Sequence, residues 1–454
     1  MQNLSERICQ HIIGFQPQAL PTKTARNTAT ALLDALGVMM AAASHSADVQ
    51  PFIKLAQETS GPCLILGGSH CTSVELAALA NGAMAHALDF EDTFDAAALH
   101  PNAAMTAAVL AMAQANGAIS GKEIITALAL GCDLTCRLGL ALNKPLAEDG
   151  WYPPLLLGVW AATAACGRLA QLTTAELRSA FSLAMCMINA PGAIGSDNST
   201  TLRATREAFS AEAAVKAVKL AQLGVTGFRA PLEGKHGFYD LFASGQFCED
   251  TLLENLGKTF YGDQLSFKLW PSCRGTHSFI QLALAAAQSK GFNLAKIETI
   301  EVDIGQVQQQ LYEPFNRKAA PASVIDAKFS IPYITALALS TGNATLESIE
   351  RNIGNPAIIA LAQRIQSNPR LDWTTQYATA GKLTVIGDSF SWQQECLSPL
   401  GSPSSPLTEQ QIIDKFVNCY CIAGGMSQNG MAIAEAVLKL EQNPLVDFSL
   451  LALN

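Results

Sequence analysis

The sequence predicts a mainly α-helical protein: a large helical bundle domain built from both chain ends, with a smaller α+β domain inserted between them. Three observations carry this. Nearly half of the 454 residues are apolar and only 15% are charged, so a sizeable core can be buried, and the length points to two domains rather than one. Alanine outweighs β-branched and aromatic residues in most apolar runs, which favours closely packed helices. From about Lys268 the pattern changes, and Ile300–Glu301–Val302–Asp303–Ile304 alternates as a half-buried strand does. The expected domains are residues 1–267 with 403–454, and 268–402.

In order, helical spacing runs through Thr24–Ala43, Ser73–Ala87, Ala103–Ala115, Gly121–Leu142, Gly158–Leu172 and Thr174–Met187, the last capped by Thr173. Several of these are apolar nearly all round, as in the interior of a bundle. Pro191–Thr201 reads as a loop, and Thr205–Gly224 as a helix with Gly224 past its end. Helices at Thr276–Ser289, Ile331–Thr341 and Asn355–Gln366 accompany strands at Ile300–Ile304 and Lys382–Asp388. After the Pro/Ser-rich stretch Gly401–Pro406, helices return at Thr408–Val417 and Gln428–Leu440.

The net charge of −9 argues against nucleic acid or an anionic membrane as partner. The twelve cysteines are scattered, with no C-x-x-C pair and no Cys/His spacing suited to zinc, so neither a disulfide framework nor a metal is expected. No signal-peptide pattern opens the chain and no apolar run is long enough to span a membrane, so a reduced, cytoplasmic protein is expected.

Four stretches hold more polar functionality than packing requires. Between two alanine-rich helices, His86–Pro101 carries Asp89, Glu91, Asp92, Thr93, Asp95 and two histidines, groups that need partners, shifted pKa values or water. Gly150–Pro154 presents Tyr152 at a helix entry. Thr201–Arg206 places Arg203 and Arg206 one turn apart. Lys268–His277 adds Lys268, Cys273, Arg274 and His277. Grouped cations hold carboxylates, arginine by paired hydrogen bonds, and removing a proton beside a carboxylate needs a tuned base and positive charge where negative charge builds. Plainer readings stand beside these: Asp92 and Thr93 as caps, His86 satisfying a helix end, Arg203 and Arg206 as a solvated face, Tyr152 as a packed loop residue, and His236 at the surface. There is no Gly-rich phosphate loop and no G-x-S-x-G elbow.

The motifs resemble the MmgE/PrpD family, which includes 2-methylcitrate dehydratases, cis-aconitate decarboxylases and an iminodisuccinate epimerase. The similarity runs from about Arg26 to Phe416. It rests on Asn81–Gly82, His86–Ala87–Leu88–Asp89–Phe90–Glu91–Asp92–Thr93, His100–Pro101, Asp133 to Gly139, Gly224–Gly227, Leu232–Glu233–Gly234, Lys268 to His277, and Asp326–Tyr333. The resemblance implies a split helical domain, an inserted α+β domain, an active site in the crevice between them, and a homodimer working without metal or organic cofactor. It assigns Asp89, Thr93, His100, Lys268 and His277 to the catalytic pocket. Tyr152 stands where the family commonly has histidine, and Arg203 where it has lysine. Arginine keeps the cation but hardly donates a proton, and a phenol needs cationic neighbours, such as Lys268 and Arg203, before it serves as a base.

The expectation is therefore an enzyme that abstracts a proton next to a carboxylate of a small di- or tricarboxylate, foremost a 2-methylcitrate dehydratase-like hydro-lyase. His100 and Tyr152 would move protons, with Asp89 orienting one of them, while Arg203, Arg206, Cys273, Arg274 and Lys268 would hold substrate. An epimerase using the same pocket is the alternative, and a catalytically silent anion-binding protein a third.

Overall fold

The computed structural model describes residues 3–197 and 200–453, and it is mainly helical. The chain divides into two compact units, residues 1–265 with 408–454, and residues 266–407.

In the first unit, Val74–His86 packs against Ala103–Asn116, Glu207–Gln222 and Thr22–His45, and the last of these also packs against the returning helix Glu409–Ile422. Small residues allow this. A methyl group on Gly82 would sit 2.9 Å from both Ala208 Cα and Glu207 O, so glycine sets how closely those two helices approach. Next to it, buried Asn81 accepts from Leu66 N and donates to Leu64 O, each at 3.0 Å, which satisfies an extended segment lying inside the bundle. Glu233 does the same for the first helix, Leu4–Gly14, accepting from Ser5 N and Oγ.

The helix Thr174–Met187 begins at a capping box between Thr173 and Glu176. Glu207–Gln222 ends with Gly224 at φ +93°, where the Val225 N to Leu220 O and Gly224 N to Ala221 O bonds close the last turn, the pattern that favours glycine. Several boundaries differ from the sequence expectation. Pro153 and Pro154 start their helix five residues earlier than Gly158, because proline is tolerated in a first turn. The segment expected to be helical from Thr205 is divided at Arg206, with a short helix Leu202–Thr205 before it. Within the expected loop Pro191–Thr201, Ala193–Ser196 forms one helical turn; Asn198 and Ser199 lie outside the described residues.

The second unit holds a four-stranded sheet in the order Ile365–Pro369, Ile297–Ile304, Gly381–Gly387, Phe390–Cys396. The first pair is parallel and the other two are antiparallel. Ile300, Val302, Leu383 and Val385 share a core with Phe279 and Ile280 of His277–Gln288 and with Ile334 and Leu337 of Ile331–Thr341. The expected helix Asn355–Gln366 instead stops at Ala362, and Ile365 opens the edge strand. Among the described residues, no helix is long and apolar enough to cross a membrane.

Candidate active site

The His86–Pro101 stretch leaves its helix through a tight turn in which Asp89 N donates to His86 O at 2.8 Å and Asp89 takes φ +50°. Aspartate tolerates this left-handed region better than most residues, but the conformation is strained and has to be held from outside. The holding group is Lys415. Its ammonium donates to Phe90 O at 2.7 Å, lies 2.5 Å from Asp34 Oδ1, and sits over the Phe90 ring. The chain then makes a small hairpin closed by Phe94 N to Leu99 O at 2.9 Å, with Asp95–Ala98 at its tip. This turn carries His100 back to the start of the loop. Asn102, just before the Ala103–Asn116 helix, donates to Asp92 Oδ2 at 3.0 Å.

The consequence is a buried cluster. Glu91, fully buried, lies between two imidazoles: its Oε1 contacts His86 Nδ1 and lies 2.9 Å from His100 Nδ1. His100 Nδ1 is also 3.1 Å from Asp92 O. Burial, then the charge of Arg206, lower the His86 pKa to about 3 despite Glu91, so that ring is neutral. Burial and the charge of Asp34 push the Asp92 carboxyl up to about 7. Thr93 turns back within the hairpin, its hydroxyl donating to Asp95 Oδ1 at 2.6 Å.

Arg206 brings the cation. Its guanidinium is 1% exposed and stacks over the Tyr152 ring at 4.9 Å. Nη1 donates to Arg203 O at 2.6 Å, and Nε is 3.2 Å from Glu207 Oε1 without hydrogen-bond alignment. Nη2 is buried and has no acceptor among the described residues. Arg203 Nη1 donates to Gly195 O at 2.7 Å, and Gly195 backs the Tyr152 ring. The sequence leaves open whether Tyr152 acts as a base. Burial raises its pKa by more than Arg206 and Arg203 lower it, so the phenol stays protonated at neutral pH and can donate.

His86, Asp89, Glu91 and His100 bring nitrogen and carboxylate oxygen atoms within 4.8 Å of one another, a set that could hold a divalent cation. The sequence spacing does not announce this set, because the loop rather than a helix period assembles it. The contacts are those of a proton-bridged arrangement. A carbonyl oxygen can only accept, so His100 Nδ1 at 3.1 Å from Asp92 O carries hydrogen. Arg206 also adds a positive charge that acts on both His86 and Glu91, which disfavours a second cation.

In the second unit, Lys268 and His277 are buried. His277 Nε2 is 3.3 Å from Ser272 O, and its Nδ1 is 3.2 Å from Arg274 Nη1. Arg274 reaches Leu400 O, Pro399 O and Ser402 Oγ at 3.2, 3.3 and 2.5 Å; these bonds fasten the 399–402 turn, whereas the sequence expectation assigns Arg274 to substrate. Cys273 is partly exposed, and its N–H donates to Lys328 O at 3.0 Å.

Sequence reasoning misses Glu91 and Glu207 as site residues and takes His86 for a helix-end group. Glu91 stands inside the family-like motif, yet a five-residue offset across a helix end has no periodic signature. Glu207 is buried with its pKa raised by desolvation, and its one signal in the sequence is adjacency to Arg206.

Residues 6–250 match the MmgE/PrpD N-terminal domain and residues 270–441 the MmgE/PrpD C-terminal domain. Curated relatives include the cis-aconitate decarboxylase-like protein oryM of Aspergillus oryzae, 23% identical over 369 residues that span 77% of this chain and 76% of that protein. The cis-aconitate decarboxylases of Mus musculus and Homo sapiens are 24% and 26% identical over 359 residues, 75% of this chain in each case and 70% and 71% of theirs. With both domains matched in order over most of its length, the chain belongs to the MmgE/PrpD family.

Proposed function

We propose that this protein is a lyase that acts on a small di- or tricarboxylate by moving a proton at the carbon beside a carboxylate. The observation that carries the reading is the open donor of Arg206. A fully buried guanidinium whose Nη2 lacks an acceptor among the described residues is costly unless a ligand carboxylate completes it, and it stands among a histidine, a protonated tyrosine and two carboxylates.

In a dehydration, His100 takes the carbon-bound proton and the electron pair left on carbon forms the double bond. Hydroxide leaves, and the Tyr152 hydroxyl supplies the proton that makes it water; solvent later reprotonates the phenolate. In a decarboxylation the carbon–carbon bond to the departing carboxylate breaks. CO2 leaves, and the electron pair it leaves behind is protonated by the same donors. The family membership and the names of the relatives support either outcome. A 2-methylcitrate-like hydroxy acid tests the first, and cis-aconitate the second. Lys268 and His277 enter this reading from the family resemblance, as does a homodimer, which light scattering would test.

The deciding experiment is incubation of the purified protein with each acid in deuterated water. Appearance of an unsaturated acid or of CO2 supports a lyase. Deuterium exchange with an inverted stereocentre and no new product replaces it with an epimerase. Silence with every acid, alongside measurable binding, leaves only an anion-binding protein. His100→Ala and Lys268→Ala should each cut turnover by about 100-fold or more; near-normal rates in both would remove these residues from the site.

A further inference from the structure

We infer that Glu91 is the positioning residue of His100: held by His86, it fixes the imidazole in the Nδ1–H tautomer and leaves Nε2 as the proton acceptor. This rests on the role given to His100 in the lyase reading and adds the group that makes it competent.

Donors and acceptors decide the tautomer. His100 Nδ1 faces two oxygens, Glu91 Oε1 at 2.9 Å, a charge contact out of hydrogen-bond alignment, and Asp92 O, its hydrogen-bond partner at 3.1 Å. The second is a backbone carbonyl and cannot donate, so Nδ1 has to carry the hydrogen. In a neutral ring Nε2 then holds the lone pair, which is what abstraction of a proton requires. Free histidine favours the opposite tautomer in water, so the arrangement is imposed by the protein.

Glu91 is in turn fixed. It has no exposure and contacts His86 Nδ1, and His86 is neutral and buried, so that nitrogen donates to the carboxylate oxygen that lies 2.9 Å from His100 Nδ1. The residue before it is fastened by Lys415 to Phe90 O at 2.7 Å. The two rings lie with centroids 5.0 Å apart and tilted by 59°, so both reach one oxygen without stacking. When His100 accepts a proton it becomes a cation next to this carboxylate, and the pairing strengthens at the moment charge develops.

Two measurements test this. In protein labelled with 15N-histidine, long-range nitrogen–proton correlations report the tautomer of each ring, and the His100→Gln spectrum assigns the signal. His100 should show the Nδ1–H form, and an Nε2–H ring would overturn the inference whether or not any substrate has been found. In kinetics, Glu91→Gln should lower kcat by about 100-fold or more with KM within about threefold, and Glu91→Asp should restore part of the loss. Wild-type kcat in Glu91→Gln would overturn the inference while leaving the lyase reading in place. A wild-type protein with the Nδ1–H ring but inert toward every carboxylate would do the reverse.

Discussion

Arg137 and Arg206 are alike in burial, each 1% exposed, and unlike in what surrounds them. Arg137 donates from Nε to Asp133 Oδ2 at 2.7 Å, from Nη1 to Glu254 O at 2.8 Å and from Nη2 to Thr259 O at 2.8 Å, and it stacks over Tyr261. Every nitrogen is used, and the carbonyl acceptors come from a segment over a hundred residues away in sequence. Arg206 has one aligned acceptor, a neighbouring carboxylate out of alignment, and Nη2 with none among the described residues. Both arginines are visible in the sequence, but burial and charge do not separate a structural cation from a ligand-binding one. The supply of acceptors does: a closed guanidinium holds the fold, and an open one has capacity left for a substrate.

The largest effect should come from removing the closed guanidinium. Arg137→Met leaves Asp133 buried without its partner and takes the donor away from the carbonyls of Thr251, Leu252, Glu254 and Thr259. The cost should be about 3–5 kcal/mol, read as a lowered denaturant midpoint. A change below about 1 kcal/mol would erase the contrast. Arg206→Gln should show the opposite profile. Turnover should fall about 100-fold or more for loss of a charged substrate contact, while the unfolding midpoint moves far less, because Glu207 can take up a proton. Equal loss of stability in both variants would break the comparison.

Lys415→Met sharpens it from a third side, since this lysine fastens the loop without belonging to the arginine cluster. The methionine keeps the packing against Phe90 but takes the ammonium away from Asp34. A loss of about 2–3 kcal/mol, with turnover reduced by about tenfold through misplacement of the loop, is expected from unfolding and initial-rate measurements. Unchanged rates would show that the loop holds its shape alone.

A further effect concerns protons. In the unfolded chain an aspartate titrates near about 3.9, whereas folding pushes Asp92 up to about 7. Between these values the native state binds a proton that the unfolded state does not. The stability this confers is therefore full below about pH 4 and is lost as the pH rises to about 7. Asp92→Asn should gain on the wild type across that window in paired thermal melts. A difference independent of pH would show that Asp92 is ionised throughout.

Much of the helical architecture is legible in the sequence because local rules agree with the tertiary outcome. Thr174–Met187 can be read to the residue, since Thr173 and Glu176 form its capping box. The alanine-rich helices announce close packing, and Gly82 shows the reason. The edge strand Ile365–Pro369 is not legible: its middle is polar, at Gln366, Ser367 and Asn368, and its partner strand lies far back in the chain at Ile297–Ile304. At the site, the residue types are visible but their wiring is not. Cations near Tyr152 suggest a phenol eased toward ionisation, while burial outweighs them. Glu91 and His86 meet only because the chain reverses at Asp89, a turn that no periodicity announces.

The hairpin closed by Phe94 and Leu99 separates what must stay from what can vary. His100 is fixed from below the closure, by Glu91 and the Asp92 carbonyl, and nothing in the tip at Asp95–Ala98 is needed for that. The tip contains exposed Ala96 and Ala98, the latter at φ +51°. Grafting extra residues there would lengthen the turn without shifting the imidazole.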